Sequence, residues 1–389
     1  MTEAPARVPL VEVHDLIAPG QPLPFRVLDG QGRMLLAAGQ KVLDVRQLQA
    51  LLERGACVEY DAVQEVRRER AAAAAARAGL TPSSRKRNLF DAWEQRTWEL
   101  DSLLKLVGRD ATLAPQIEAF AAEHVALVDK QLDAALFLCI RQDDRRFALY
   151  GLTHALHTAT VAVLCGRQLE WSAERVQRVV GAALTMNVSM LELQAQMAEQ
   201  SDPPTKRQLD LIRTHTTRSA QMLRDSGIGD AEWLSTVEDH HEHPGGGGYP
   251  RGATEVGEMA HLLRAADVFM AKISPRALRA PLLPQVAARQ LFQEEKGGPV
   301  AAALIKGLGV YPPGDFVKLK NGETAIVVQR TPASNAPIVA VLADAAGRPV
   351  HGAPRRETAQ PEVAIAGPLT DRAHLPRVLP EQVYGLVEP

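Results

Sequence analysis

From Leu89 to Leu308 apolar residues recur at the helical period with almost no interruption, and this long stretch constrains the fold more than any other feature. NLFDAWEQRTWELDSLLKLV, QIEAFAAEHVALVDKQLDAALFLCI and HTATVAVLCGRQL each carry apolar residues at helical spacing. At ordinary helix lengths such a segment holds roughly eight to ten helices. The flanks differ. PFRVLDGQGRMLLAAGQ reads as a hairpin, with strands near Phe25–Leu28 and Met34–Ala37 joined through Asp29-Gly30-Gln31-Gly32. DVRQLQALLERG follows as a helix capped by Asp44 and stopped by Gly55, with Leu48, Leu51 and Leu52 on one face. RRERAAAAAARAGL has strong helix propensity without an apolar stripe, which fits an exposed connection. Beyond Gly309, β-branched runs punctuated by Asn321-Gly322 and Gly347 predict a short β-meander. The expected organisation is a mainly α chain: an α+β module at 1–65, a connecting helix or linker at 66–88, a helical domain at 89–308, and a β appendix and tail at 309–389.

Composition narrows the partners. With 46% apolar and 23% charged residues, the 389-residue chain resembles an ordinary globular protein. Its apolar runs look too short to cross a bilayer, and MTEAPARVPLVEVHDL lacks the basic flank and apolar core of a secretory signal, so no membrane association is expected. Cys57, Cys139 and Cys165 lie apart without C-x-x-C spacing, which predicts reduced, buried thiols in the cytoplasm. A formal charge of −2 supplies no global attraction to nucleic acid. Long helices read at Asn88–Val107 and Ala114–Ile140 are able to pair between subunits as well as within one, so a dimer is plausible.

The chemistry concentrates in HHEHPGGGGYP, His240 to Pro250. Adjacent imidazoles followed by a carboxylate suggest a metal site, Gly245 to Gly248 permit positive φ and close backbone approach, and Tyr249-Pro250 fixes the exit. Downstream, LLRAADVFMAKISPRALR reads as one helical stretch carrying Asp267, with Arg276 and Arg279 three apart on one face.

Together these segments resemble the HD-GYP family, whose members hydrolyse the bacterial messenger cyclic di-GMP. The resemblance covers about residues 150–330 and implies an HD-domain-like helical core. It implies metal ligands at His157, with His154 as the alternative in register, and at His215, His240, His241 and Asp267, with Glu242 as the carboxylate after the pair. Arg276 and Arg279 match the family's basic pair for ligand phosphates, and Gly248, Tyr249 and Pro250 its ligand- or partner-facing loop. The family's defining His-Asp pair and the lysine after it are replaced here by Met186, Asn187 and Met190.

Two divalent cations about 3.5–4 Å apart need an anion between them, since their bare repulsion at an effective dielectric near 20 is on the order of 20 kcal/mol. Asn187 offers one neutral amide oxygen and Met186 a thioether, so a paired site is not expected and no residue is assigned as catalytic. His215, His240 and His241 suffice for one divalent transition metal, iron, manganese or zinc, and a metal-free pocket is the alternative. The sequence therefore predicts a degenerate signalling protein, catalytically weak or inactive, that binds cyclic di-GMP or a protein partner through the Gly-Tyr-Pro loop. The competing expectation is an active metal-dependent phosphodiesterase with a non-standard site.

Overall fold

The computed structural model describes residues 7–17, 20–63, 65–66, 89–142, 147–370, 375 and 379–386. The connecting segment read at 66–88 falls, from residue 67 on, outside them. Contacts divide the chain into two compact units, Met1–Lys86 and Arg87–Pro389.

The first unit contains a four-stranded antiparallel sheet in the order β1-β4-β2-β3: β1 Arg7–Pro9, β2 Val27–Leu28, β3 Met34–Leu36 and β4 Cys57–Glu59. The hairpin between β2 and β3 closes as its turn residues dictate, with Asp29 Oδ1 accepting the backbone N–H of Gln31 and Arg33, each at 2.9 Å. Helix α1, Val45–Glu53, starts at Asp44, whose carboxylate accepts Gln47 N–H at 2.8 Å. Leu10, Val13, Phe25, Val27, Leu51 and Val58 form the core of this unit.

The second unit is helical, with a sheet at its end. Its helices are α2 Leu89–Leu104, α3 Ala114–Lys130, α4 Leu132–Arg141, α5 Tyr150–Gln168, α6 Ala173–Thr185, α7 Leu191–Glu199, α8 Lys206–Asp225, α9 Ala231–Asp239, α10 Glu258–Ile273, α11 Pro284–Glu294 and α12 Pro299–Leu308. The helix expected at Ala114–Ile140 is two, because Gln131 leaves helical geometry at φ −143, ψ 51. The burial patterns explain the break. α3 buries one stripe through Ile117, Phe120, Ala121, His124 and Val128, whereas α4 sends Leu136 and Cys139 to the helical core and Phe137 to the sheet.

At the centre lies α5, buried almost all round from Tyr150 to Gly166. The stretch Phe147–Gln168 is long and apolar enough to cross a bilayer by composition, which corrects the reading that every apolar run is too short. However, 78% of its apolar window is buried inside the protein, as befits a core helix.

The terminal sheet runs β8-β7-β6-β5-β9, all antiparallel: β5 Phe316–Leu319, β6 Thr324–Gln329, β7 Ile338–Ala343, β8 Arg355–Glu357 and β9 Ile365–Pro368. β5 to β8 form the expected meander, while β9 returns to pair with β5. Phe316, Ile326, Val328 and Leu342 meet Phe137 on one face, and Val317, Val327, Val339 and Val363 cluster on the other. Asp133 at the start of α4 receives Arg330 Nε at 2.5 Å, tying β6's end to the helices.

Two tests follow from this packing. A Cβ added at Gly181 on α6 would meet the Trp233 ring at 2.1 Å; Gly181→Ala should therefore destabilise the unit by about 2–3 kcal/mol in chemical denaturation. His124 is fully buried and donates from Nε2 to Thr160 Oγ1 at 3.1 Å, since that hydroxyl's own proton goes to Leu156 O. Burial, then the nearby Arg96 and His157, lower its pKa from 6.5 to about 3. The unfolded chain thus takes up a proton that the folded chain refuses, so stability is complete above pH 6.5 and drains as pH falls toward 3. This residue should cost about 2 kcal/mol by pH 5, and His124→Asn should flatten the pH dependence of the melting temperature by one proton's worth.

Candidate metal centre and phosphate clamp

Four helices of the second unit aim polar side chains at one buried point. α8 begins with a capping box between Thr205 and Gln208 and carries His215 at its middle. Asp230 caps α9 by accepting Trp233 N–H at 2.9 Å, and the helix ends in His240 and then His241. α5 contributes His154 and α10 contributes Asp267. His154, His215, His240 and Asp267 are all less than 9% exposed, and His241 is partly buried.

The hydrogen bonds set the tautomers. His215 Nδ1 lies 2.5 Å from Ile212 O, and His240 Nδ1 lies 2.8 Å from Val237 O. A carbonyl only accepts, so each Nδ1 carries the proton and each Nε2 presents a lone pair. Those two Nε2 atoms face each other at 3.3 Å. Two neutral acceptors cannot bond each other, and burial first, then the His240 neighbour, holds His215 neutral down to about pH 3. Burial likewise lowers the pKa of His240 and His241. With His241 added, the three ligand atoms all lie within 4.8 Å of one another. This donor set fits one divalent transition ion, which would supply Lewis acidity there.

Asp267 accepts a hydrogen bond from His154 Nε2 at 2.7 Å. Burial alone would raise its pKa, but the hydrogen bond from His154 outweighs burial and holds the carboxyl below the usual carboxylate range. The register choice therefore falls on His154. His157, one turn further, instead stacks on Trp93 with ring centroids 6.0 Å apart, and its Nδ1 lies 3.3 Å from Gln142 Nε2. The structure does not bring His157 to the cluster. The two positions differ by about 60° around α5, and only the roll of that helix against α10 selects between them.

The replaced positions are equally telling. Met186 is fully buried within the main apolar cluster. Asn187 is 3% exposed, and its Oδ1 has no hydrogen-bond partner among the described residues. Met190 is partly exposed and lines a groove of about 620 Å³ with Leu104, Leu211 and Met222.

Glu242 is not gathered among these ligand atoms. It is fully buried, and its two oxygens accept Arg251 N–H at 2.7 Å and Ala253 N–H at 2.9 Å, so it shapes the glycine-rich loop. Gly245, Gly246 and Gly247 all hold φ between 85 and 94, a region open to glycine. At Gly248 a Cβ would sit 2.5 Å from Glu242 Cα and from His241 O, so only glycine allows the loop to lie against the histidine pair. Tyr249 then stacks on His241 at 4.6 Å, and its bond to Pro250 is cis.

Arg276 and Arg279 do not share a helix face. α10 stops at Ile273, and Ser274 turns extended at ψ 134 because Pro275 follows it. The two arginines lie in the succeeding turn, bridged to each other. Arg279 folds back and donates to Ala271 O at 2.6 Å, capping the helix. Arg276 rests on Tyr150, a residue that sequence reasoning passed over although it stands four before His154 on one helix face.

Comparison with known proteins places similar chains beside this one. Residues 127–297 match a family described as HD domain. A cyclic di-GMP phosphodiesterase of Pseudomonas aeruginosa is 24% identical over 185 residues, covering 46% of this chain and 45% of that protein. The cyclic di-GMP phosphodiesterase PdeB of Borreliella burgdorferi is 23% identical over 134 residues, 34% of this chain and 35% of its own length. The chain thus spans less than half of these curated relatives. Among solved structures, Bd1817, an HDG"Y"P protein from Bdellovibrio bacteriovorus, superposes with a TM-score of 0.50 at 14% identity, covering 77% of this chain and 97% of that one.

The facing lone pairs make a stoichiometric prediction. Protein purified without an affinity tag should take up about one equivalent of zinc, and His215→Ala should abolish that uptake. Elemental analysis measures both, and two tightly held equivalents would contradict the single-ion arrangement.

Proposed function

We propose that the chain is an HD-GYP-type member of the HD-domain proteins, a bacterial signalling protein that binds cyclic di-GMP and hydrolyses it weakly or not at all. The observation that carries this reading is the pair Met186 and Asn187. Where a bridging carboxylate would hold two cations, a thioether lies in the apolar core and a neutral amide oxygen lies buried with no partner among the described residues. Neither group cancels the mutual repulsion of two divalent ions. His215, His240 and His241 would hold a single iron, manganese or zinc ion, and the pocket also tolerates its absence because Asp267 keeps its His154 partner.

Cyclic di-GMP is supported by the two relatives named for its hydrolysis and by Arg276, a guanidinium beside the cluster suited to a phosphate diester. Met190 in place of a lysine removes one further cation from that task. His243, Pro244, Gly245 and Pro250 are exposed on the glycine-rich loop, where a protein partner is the alternative occupant. The three free, buried cysteines accord with a cytoplasmic setting. In this reading residues 1–65 form an accessory module, 66–88 the connection, 89–308 the signalling domain and 309–389 its appendix.

A second reading retains activity. Three imidazoles with an open fourth position also constitute a catalytic zinc arrangement, able to activate water for phosphodiester hydrolysis.

Calorimetric titration with cyclic di-GMP, run beside a hydrolysis assay in manganese and in iron, separates the two. Micromolar binding without turnover is the expected outcome. Turnover abolished by His240→Ala would establish the second reading instead.

A further inference from the structure

Tyr150 opens α5 and is 8% exposed. Its hydroxyl oxygen accepts two bonds from one guanidinium, Arg276 Nε at 3.0 Å and an Arg276 Nη at 2.5 Å. The guanidinium carbon lies 5.0 Å from the Tyr150 ring centre. The other side of the contact is the cluster itself: the Tyr150 and His154 rings are stacked at 5.6 Å and 9° from parallel, and His154 holds Asp267. Two residues one turn apart on α5 thus grip a carboxylate on α10 and a cation in the turn that follows it.

The choice of partner decides what the cation is free to do. A carboxylate would orient Arg276 and neutralise it as well. A phenol orients it and stays neutral, and burial pushes Tyr150 further from ionisation. Among the described residues no carboxylate lies within ion-pair distance of Arg276. Two of its five N–H donors are spent on Tyr150, which leaves three and the full positive charge for an incoming anion. Arg279 makes a useful contrast, since its guanidinium is engaged by the carbonyl of Ala271.

We propose that Tyr150 is a positioning residue whose hydroxyl holds Arg276 beside the histidine cluster as an unneutralised cation, poised for a phosphate of the bound ligand. The proposal rests on the cyclic di-GMP reading for its ligand, whereas the tether itself does not.

The test uses the full chain and two probes. In the free protein the Arg276 Nε–H should give a protected NMR resonance that Tyr150→Phe erases, while the ring stack on His154, the zinc stoichiometry and the melting temperature stay close to wild type. Cyclic di-GMP affinity should fall about tenfold in Tyr150→Phe, as befits a bond to a charged group. The double variant Tyr150→Phe/Arg276→Ala should bind no more weakly than Arg276→Ala alone. Wild-type affinity in Tyr150→Phe, or fully additive losses, would overturn the proposal. If wild-type protein fails to bind cyclic di-GMP, the functional reading falls, and inorganic pyrophosphate then decides the tether. A shift of the Arg276 resonance in wild type but not in Tyr150→Phe upholds it, and no shift in wild type overturns it.

Discussion

The arrangement around the cluster depends on one unfavourable contact, the two unprotonated nitrogens of His215 and His240 held face to face. Their own helices enforce it, because each ring's opposite nitrogen is anchored to a carbonyl one turn back. Neither ring is able to rotate away without abandoning a buried hydrogen bond, and protonation is opposed by burial. A cation relieves this opposition by accepting both lone pairs. The backbone therefore pre-orients a soft electrostatic trap for a cation.

The side chains at 186 and 187 are unevenly accommodated. Met186 belongs to the apolar cluster, where its flexible thioether packs without a polar group to satisfy. Asn187 is less well accommodated, since its buried carbonyl oxygen has no hydrogen-bond partner among the described residues. Polar atoms left in that condition are uncommon in folded proteins.

Much of the fold was legible in the sequence where local chemistry decides the outcome. Asp29-Gly30-Gln31-Gly32 and Asn321-Gly322 made turns, Asp44 made a cap, and the long periodic stretch made helices. The break at Gln131 was not legible, because no proline or glycine stands there and the cause is a change in which neighbours bury the next helix. His154 and His157 were indistinguishable for a similar reason, since both lie toward the interior and only tertiary contacts rank them. The two arginines were different: Ser274-Pro275 announced the end of α10, and the periodic reading ran through it. Tyr150 carried a weak signal through its spacing to His154, but nothing local connects it to a residue 126 positions away.

Glu242 has a consequence of another kind. Its carboxylate clasps two amides of the very excursion that carries the Gly-Tyr-Pro sequence, using both of its oxygens. The shape of this loop therefore rests on groups separate from the imidazole donor atoms. A substitution at the imidazoles thus leaves in place the carboxylate that folds the loop beside them.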